Sequence, residues 1–177
     1  MSWRISPAAD AGLGPCVAGG ICAILYPTAG WPSSVSRHAA CQSNRGATVK
    51  REVYNSDKVP AGRARISHAA AAGDLVFVSG MVGRQAGATP GSATVPAGTA
   101  AQTRATLENL KAVLEASGSS LQHVLKTNCF LTNMDNFNDF NTVWESYFPK
   151  DPPARFCVQA RLGPGFEVEI DAVAVKR

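Results

Sequence analysis

Two strand-like segments close this 177-residue sequence and constrain its fold more than any other stretch. The first reads Pro152-Pro153-Ala154-Arg155-Phe156-Cys157-Val158-Gln159-Ala160. The second reads Phe166-Glu167-Val168-Glu169-Ile170-Asp171-Ala172-Val173-Ala174-Val175. Successive side chains on a strand point to opposite faces, so Arg155 and Cys157 share a face of theirs, and Glu167, Glu169 and Asp171 share a face of theirs. Charges on one face of two apolar strands fit either an ion pair at a strand edge or a ligand site. A guanidinium grips a small carboxylate through two parallel hydrogen bonds. A nearby carboxylate can hold a water or move a proton.

Upstream, the spacing predicts the rest of an α+β domain. Leu75-Val76-Phe77-Val78, after Gly73-Asp74, reads as a buried strand stopped by Ser79-Gly80. Residues 85–98 read as a long loop or hairpin arm. A helix is predicted over residues 99–117, with Leu107, Leu110, Val113 and Leu114 as its apolar stripe and Gly118 as its stop. Residues 124–131 form the next strand. Asp135 or Asn136 can cap a second helix, with Phe137, Phe140, Trp144 and Tyr147 on one face, and Pro149, Pro152 and Pro153 end it. Strands, helix, strand, helix, strand, strand predicts a mixed sheet with both helices on one face. The other face then stays open, carrying some of Val158, Val168, Ile170 and Val173 according to register. Such a surface calls for a protein partner, and an oligomer with sites shared between subunits follows.

Residues 1–50 read differently. Gly, Ala, Pro, Ser and Cys dominate and no period persists, so this segment is expected to be a low-complexity extension outside the fold, disordered or a targeting sequence. The protein is then cytoplasmic, or mitochondrial or in another organelle if residues 1–50 are a transit peptide. The apolar run at residues 16–25 is too short to span a bilayer, so no membrane association is expected. Charge divides along the same line. Arg4, Arg37, Arg45 and Lys50 stand against Asp10 in residues 1–50, a net of +3. The remaining 13 basic and 12 acidic side chains leave residues 51–177 at +1. A nearly neutral domain lacks the basic face that nucleic acid demands. Five cysteines, an odd number without CxxC spacing, disfavour both a disulfide framework and a zinc site. His68 and His123 read as surface or edge residues, and Ser79 lacks the context of a hydrolase nucleophile.

A resemblance sharpens this outline. Gly73-Asp74-Leu75-Val76-Phe77-Val78-Ser79-Gly80, the helix from Gln102 to Leu114, Val124-Leu125-Lys126-Thr127, Pro153-Ala154-Arg155 with Cys157, and Val168-Glu169-Ile170 resemble, in order and spacing, the reactive intermediate deaminase family. That family is also called Rid, YjgF or endoribonuclease L-PSP. The similarity runs from about residue 52 to the C-terminus. It implies a chorismate-mutase-like α+β fold, a homotrimer with active sites between subunits, and no cofactor and no metal. It also implies hydrolysis of reactive enamines and imines to 2-keto acids and ammonia.

Residue by residue, the resemblance makes Arg155 the clamp for the substrate carboxylate and Glu169 the acid that positions the hydrolytic water. Cys157 becomes a pocket wall, Asn141 a pocket residue from the second helix, and Ser79-Gly80 a turn at the pocket floor. Three positions depart from the family pattern. Ile66 stands where a tyrosine is expected, Met81 where a glutamine is expected, and Phe156 where a small polar residue is expected. Each change makes the neighbourhood more apolar, which allows a bulkier apolar imine as substrate or a divergent member of the family with weak activity. A noncatalytic ligand-binding or RNA-directed regulatory member of the same family is the alternative expectation.

Overall fold

The computed structural model describes residues 48–60, 64–87 and 93–177. The expectation of a separate extension over residues 1–50 therefore lies outside the described residues, except for exposed Thr48, Val49 and Lys50. The described chain forms β1 (Arg51–Tyr54), β2 (Ala69–Ala72), β3 (Leu75–Val82), β4 (Gln85–Ala86), β5 (Ala93–Thr94), α1 (Thr99–Ala116), β6 (Val124–Leu131), α2 (Phe137–Tyr147), β7 (Ala154–Gln159) and β8 (Val168–Val175). Six strands make one sheet in the order β1-β2-β3-β8-β6-β7, while β4 and β5 form a small hairpin of their own. Neighbours in the large sheet are antiparallel except β6 and β7. That parallel pair is joined through α2, as a parallel connection requires. The result is a mixed α+β fold with both helices over one sheet face. Among the described residues, no helix is long and apolar enough to cross a membrane.

The core lies between that face and the helices. On α1, Leu107, Leu110, Val113 and Leu114 are all fully buried, which is the predicted stripe. Each such leucine is worth about 1.5–3 kcal/mol relative to exposure. Opposite them stand Val76 and Val78 of β3, Cys129 and Leu131 of β6, and Val168, Ile170, Ala172 and Ala174 of β8. Gly118 follows α1 with φ at 77°, a left-handed conformation that glycine adopts freely. On α2, Phe140 and Trp144 are buried, and the rings of Phe137, Phe140, Trp144 and Phe148 stack in series at 6.2, 5.9 and 4.4 Å. Tyr147 instead bridges to α1, its hydroxyl donating to Glu108 Oε1 at 2.6 Å.

Four local expectations are corrected. Ser79-Gly80 does not stop β3. The strand runs on to Val82, and pairing with β8 shifts between Val78 and Met81 so that Ser79 and Gly80 together oppose one residue. This is a β-bulge, which lets a strand pass a glycine by absorbing an extra residue. Val168 and Ile170 are not on the open face, because the register turns them under the helices. Val158 and Val173, of the other parity, are only partly covered. Glu167 precedes β8 rather than sharing its alternation. Its backbone N–H donates to Gln102 Oε1 at 2.7 Å and its carboxylate accepts from the Thr99 hydroxyl. Neither Asp135 nor Asn136 caps α2 with its side chain. Asn136 sits at the cap position but donates to Thr99 Oγ1 at 2.9 Å, while Asn133 accepts from the Asp135 N–H one turn earlier.

The open face carries a row of apolar groups. Val53, Ala70, Phe77 and Val173 are successive register partners across β1, β2, β3 and β8. Val53, Leu75, Phe77 and Phe156 are 40 to 51% exposed.

Candidate active site

Arg155 lies on edge strand β7, opposite buried Thr127 of β6, and so points toward the helix side. Its guanidinium carbon sits 5.6, 5.5 and 5.0 Å from the ring centroids of Phe137, Phe140 and Trp144. Aromatic faces attract a cation while leaving its N–H edge free. Nη1 is buried without a hydrogen-bond partner, and no carboxylate forms an ion pair with Arg155 among the described residues. An N–H group hidden from water and left unpaired is costly, which sets Nη1 apart as a donor still open to an acceptor. The strand-edge ion pair allowed by the sequence is absent among these residues.

Cys157 follows on the same face, opposite Cys129. Burial pushes the Cys157 thiol up, with Arg155 partly offsetting it, and burial pushes Cys129 up to about 12. Both groups are neutral thiols near pH 7, the form in which cysteine packs rather than attacks. Asn141, on α2, is half-buried and donates from Nδ2 to Glu145 Oε1 at 2.6 Å, along its own helix.

Glu169 belongs to a different group. On β8 it alternates with buried Val168 and Ile170, so it faces the open side of the sheet. Burial first, and the charge of Asp171 second, hold its carboxyl above the usual range. Asp171 itself accepts from the Asn128 N–H and from Asn128 Nδ2 at 3.2 and 2.9 Å, not from Arg155. The Glu169 carboxylate lies directly against the β3 bulge. A Cβ placed on Gly80 would stand 2.0 Å from Glu169 Oε1, so only glycine admits the carboxylate in this position. Beside Gly80, Ser79 is pinned through Oγ, which donates to the Ser67 carbonyl at 2.8 Å.

An open cavity of about 580 Å³ adjoins this bulge, and Ile66, Gly80 and Met81 line it. Ile66 is 59% exposed, whereas Met81 is otherwise packed into the core. Phe156 lies elsewhere. It alternates with Arg155 and Cys157, stands 51% exposed, and has Lys126 Nζ 5.7 Å from its ring centroid.

The candidate residues of one chain thus fall into two groups. Arg155 and Cys157 lie under α2 on the helix side. Ser79, Gly80 and Glu169 gather at the bulge, with Ile66 and Met81 around the cavity. Sequence reading found the aromatic stripe of α2 but not its use as a cage for Arg155. The signal was there in Phe137, Phe140 and Trp144, spaced three and four apart. It also missed Asn109 of α1, whose Nδ2 donates to the Val82 and Arg84 carbonyls at 2.9 and 2.7 Å and anchors the end of β3 beside the cavity.

The sequence profile of the endoribonuclease L-PSP family matches residues 56–176, most of the chain. The chain belongs to that family. Within the L-PSP family, also called YjgF or Rid, protein HMF1 of Saccharomyces cerevisiae is 39% identical over 122 residues, covering 68% of this chain and 92% of that protein. The 2-iminobutanoate/2-iminopropanoate deaminase of Escherichia coli is 36% identical over 109 residues, covering 59% of this chain and 82% of that one. A crystal structure of another L-PSP relative, E. coli TdcF with bound serine, superposes with a TM-score of 0.65 at 29% identity, covering 71% of this chain and 99% of that one.

Proposed function

We propose that this protein hydrolyses reactive 2-imino acids, and their enamine tautomers, to 2-keto acids and ammonia. The observation that carries the reading is the buried, unpartnered Nη1 of Arg155, a donor of the kind that suits a carboxylate. The deaminase name of an E. coli relative and the serine bound to TdcF, itself a small carboxylate, support the same substrate class.

In this mechanism the Arg155 fork takes both oxygens of the substrate carboxylate, and the aromatic cage fixes its orientation. The imine carbon next to that carboxylate is then positioned at little further entropic cost. An enamine first takes a proton at its β-carbon to become the imine. Glu169, with its raised pKa, accepts a proton as water adds to the imine carbon. That proton passes to the nitrogen of the tetrahedral adduct, giving an amine; the adduct's hydroxyl proton then follows to nitrogen by way of the Glu169 carboxylate, the C–N bond breaks and ammonia leaves. The C=O of the keto acid forms from the water oxygen. The imine is intrinsically reactive, so modest acceleration suffices.

Arg155 and Glu169 occupy opposite faces of one chain's sheet. The reading therefore places Arg155 and Cys157 of one copy against Glu169 and Gly80 of a second. The exposed Val53, Leu75, Phe77 and Phe156 make the open face suited to contact with another copy. A homotrimer, with three such shared sites, closes this arrangement without unpaired faces.

The test supplies imine continuously from a pyridoxal-phosphate dehydratase and measures keto acid. Release above the spontaneous rate should grow in proportion to added protein. An unchanged rate contradicts hydrolysis, and tight amino-acid binding without turnover would instead favour the noncatalytic ligand-binding reading.

A further inference from the structure

We infer that Cys129 and Cys157 form a reversible disulfide when the protein meets a hydroperoxide, which makes the pair an oxidative modification site. The observation behind it is one of register. Cys129 of β6 and Cys157 of β7 are direct partners in the parallel ladder. Adjacent strands lie about 4.7–4.9 Å apart, and a disulfide joins cysteines whose Cα atoms are about 4.4–6.8 Å apart. Side chains of direct partners also leave the sheet on the same side. Here it is the helix side, where Cys129 belongs to the core and Cys157 packs against it. The pair therefore meets both the distance and the direction that bridging demands. β7 is the last strand of the sheet, so it can shift toward β6 without breaking a second ladder.

Both thiols are free in this structure. Cys129 is fully buried, and its Sγ donates to Thr127 Oγ1 at 3.9 Å, a weak bond that is readily given up. Cys157 is half-buried, so an oxidant reaches it first. The peroxide O–O bond breaks as Cys157 Sγ takes one oxygen, giving a sulfenic acid and releasing water from hydrogen peroxide. Cys129 Sγ then attacks that sulfur. The S–S bond forms, the S–O bond breaks, and the hydroxyl leaves as water with the Cys129 proton. Two thiols are oxidised and one peroxide is reduced. Burial holds both groups in the slow-reacting thiol form, so the bridge answers sustained oxidant and not traces of it. The second step gains instead from proximity, since Cys129 is held one strand spacing away. Cys157 follows Arg155 on the same face of β7, so the bridge alters the surroundings of the candidate clamp.

The experiment treats the full-length protein with excess hydrogen peroxide, unfolds it, alkylates the remaining thiols and digests it with trypsin without reduction. Cleavage after Lys126, Lys150, Arg155 and Arg161 puts Cys129 in peptide 127–150 and Cys157 in peptide 156–161. The expected product is these two peptides joined, from protein that still runs as one chain on a non-reducing gel. Dithiothreitol should return both as free thiols, which irreversible oxidation would not allow. Cys129→Val nearly keeps the buried volume and removes the second thiol. In that variant Cys157 should go on to sulfinic or sulfonic acid, because nothing captures the sulfenic acid. Wild-type Cys157 found as sulfinic or sulfonic acid beside an alkylated Cys129 overturns the inference. So do two thiols that both survive, a bridge from either one to Cys16, Cys22 or Cys41, or a bridge between chains. None of these readouts depends on imine hydrolysis.

Discussion

Arg155→Ala should lower kcat/KM for imine hydrolysis by about a thousandfold while the protein stays folded, since losing one partner of a buried charge pair costs about 2–5 kcal/mol. The substrate loses its only strong anchor, and the reacting carbon is no longer held in position. Arg155→Lys should fail nearly as badly, because a point charge cannot reproduce a planar fork seated among three rings. Stability should change little. Arg155 makes no ion pair among the described residues, and Nη1 bonds nothing, so truncation orphans no carboxylate. What is lost is the attraction to the rings of Phe137, Phe140 and Trp144, about 0.5–2 kcal/mol. Keto-acid release and thermal melting, measured on the same preparation, separate the two effects. Near-normal turnover in Arg155→Ala would remove the clamp from the account.

Gly80→Ala should be the second severe change, again in activity rather than stability. The new methyl would stand 2.0 Å from Glu169 Oε1 and 3.0 Å from Glu169 Cδ, far inside contact distance. The obstructing atoms are the end of a flexible side chain, so the carboxylate swings away and the fold tolerates the substitution. The displaced group no longer faces the reacting carbon, and turnover should fall about a hundredfold, the lower end of what a positioned proton-transfer group supplies. A second readout identifies the cause. Burial and Asp171 raise the Glu169 pKa, so the wild-type rate should fall with acid at a higher pH than for an ordinary carboxylate, as the base becomes protonated. Turned toward water, Glu169 loses its burial, and the acid limb of residual activity should move to lower pH. A Gly80→Ala protein with full activity and an unmoved profile would show that Glu169 need not sit against the bulge.

The parts of this molecule legible in the sequence are those set by neighbours along the chain. The stripe Leu107, Leu110, Val113 and Leu114 fixed the buried face of α1, and glycine's tolerance of positive φ made Gly118 its stop. The shared face of Arg155 and Cys157 followed from alternation alone. What escaped depends on pairing between distant segments. Period two places Glu169 and Asp171 together, but nothing local says whether they or Val168 and Ile170 meet the helices. The register of β8 against β3 and β6 decides that. It turns Glu169 to the face opposite Arg155, a separation invisible from either strand. Ser79-Gly80 looked like a terminator because glycine usually is one, yet here the bulge uses it to seat a carboxylate. Asn136 looked like a cap, but Thr99 of α1 had prior claim on its amide.

That separation makes a mixing experiment the most direct measurement. Arg155→Ala and Glu169→Gln proteins, each inactive alone, are unfolded, combined in equal amounts and refolded together. If each site takes Arg155 from one copy and Glu169 from another, random assembly leaves about a quarter of the sites intact, and about a quarter of wild-type activity should return. Co-assembled oligomers that stay as inactive as their parents would contradict a site shared between copies.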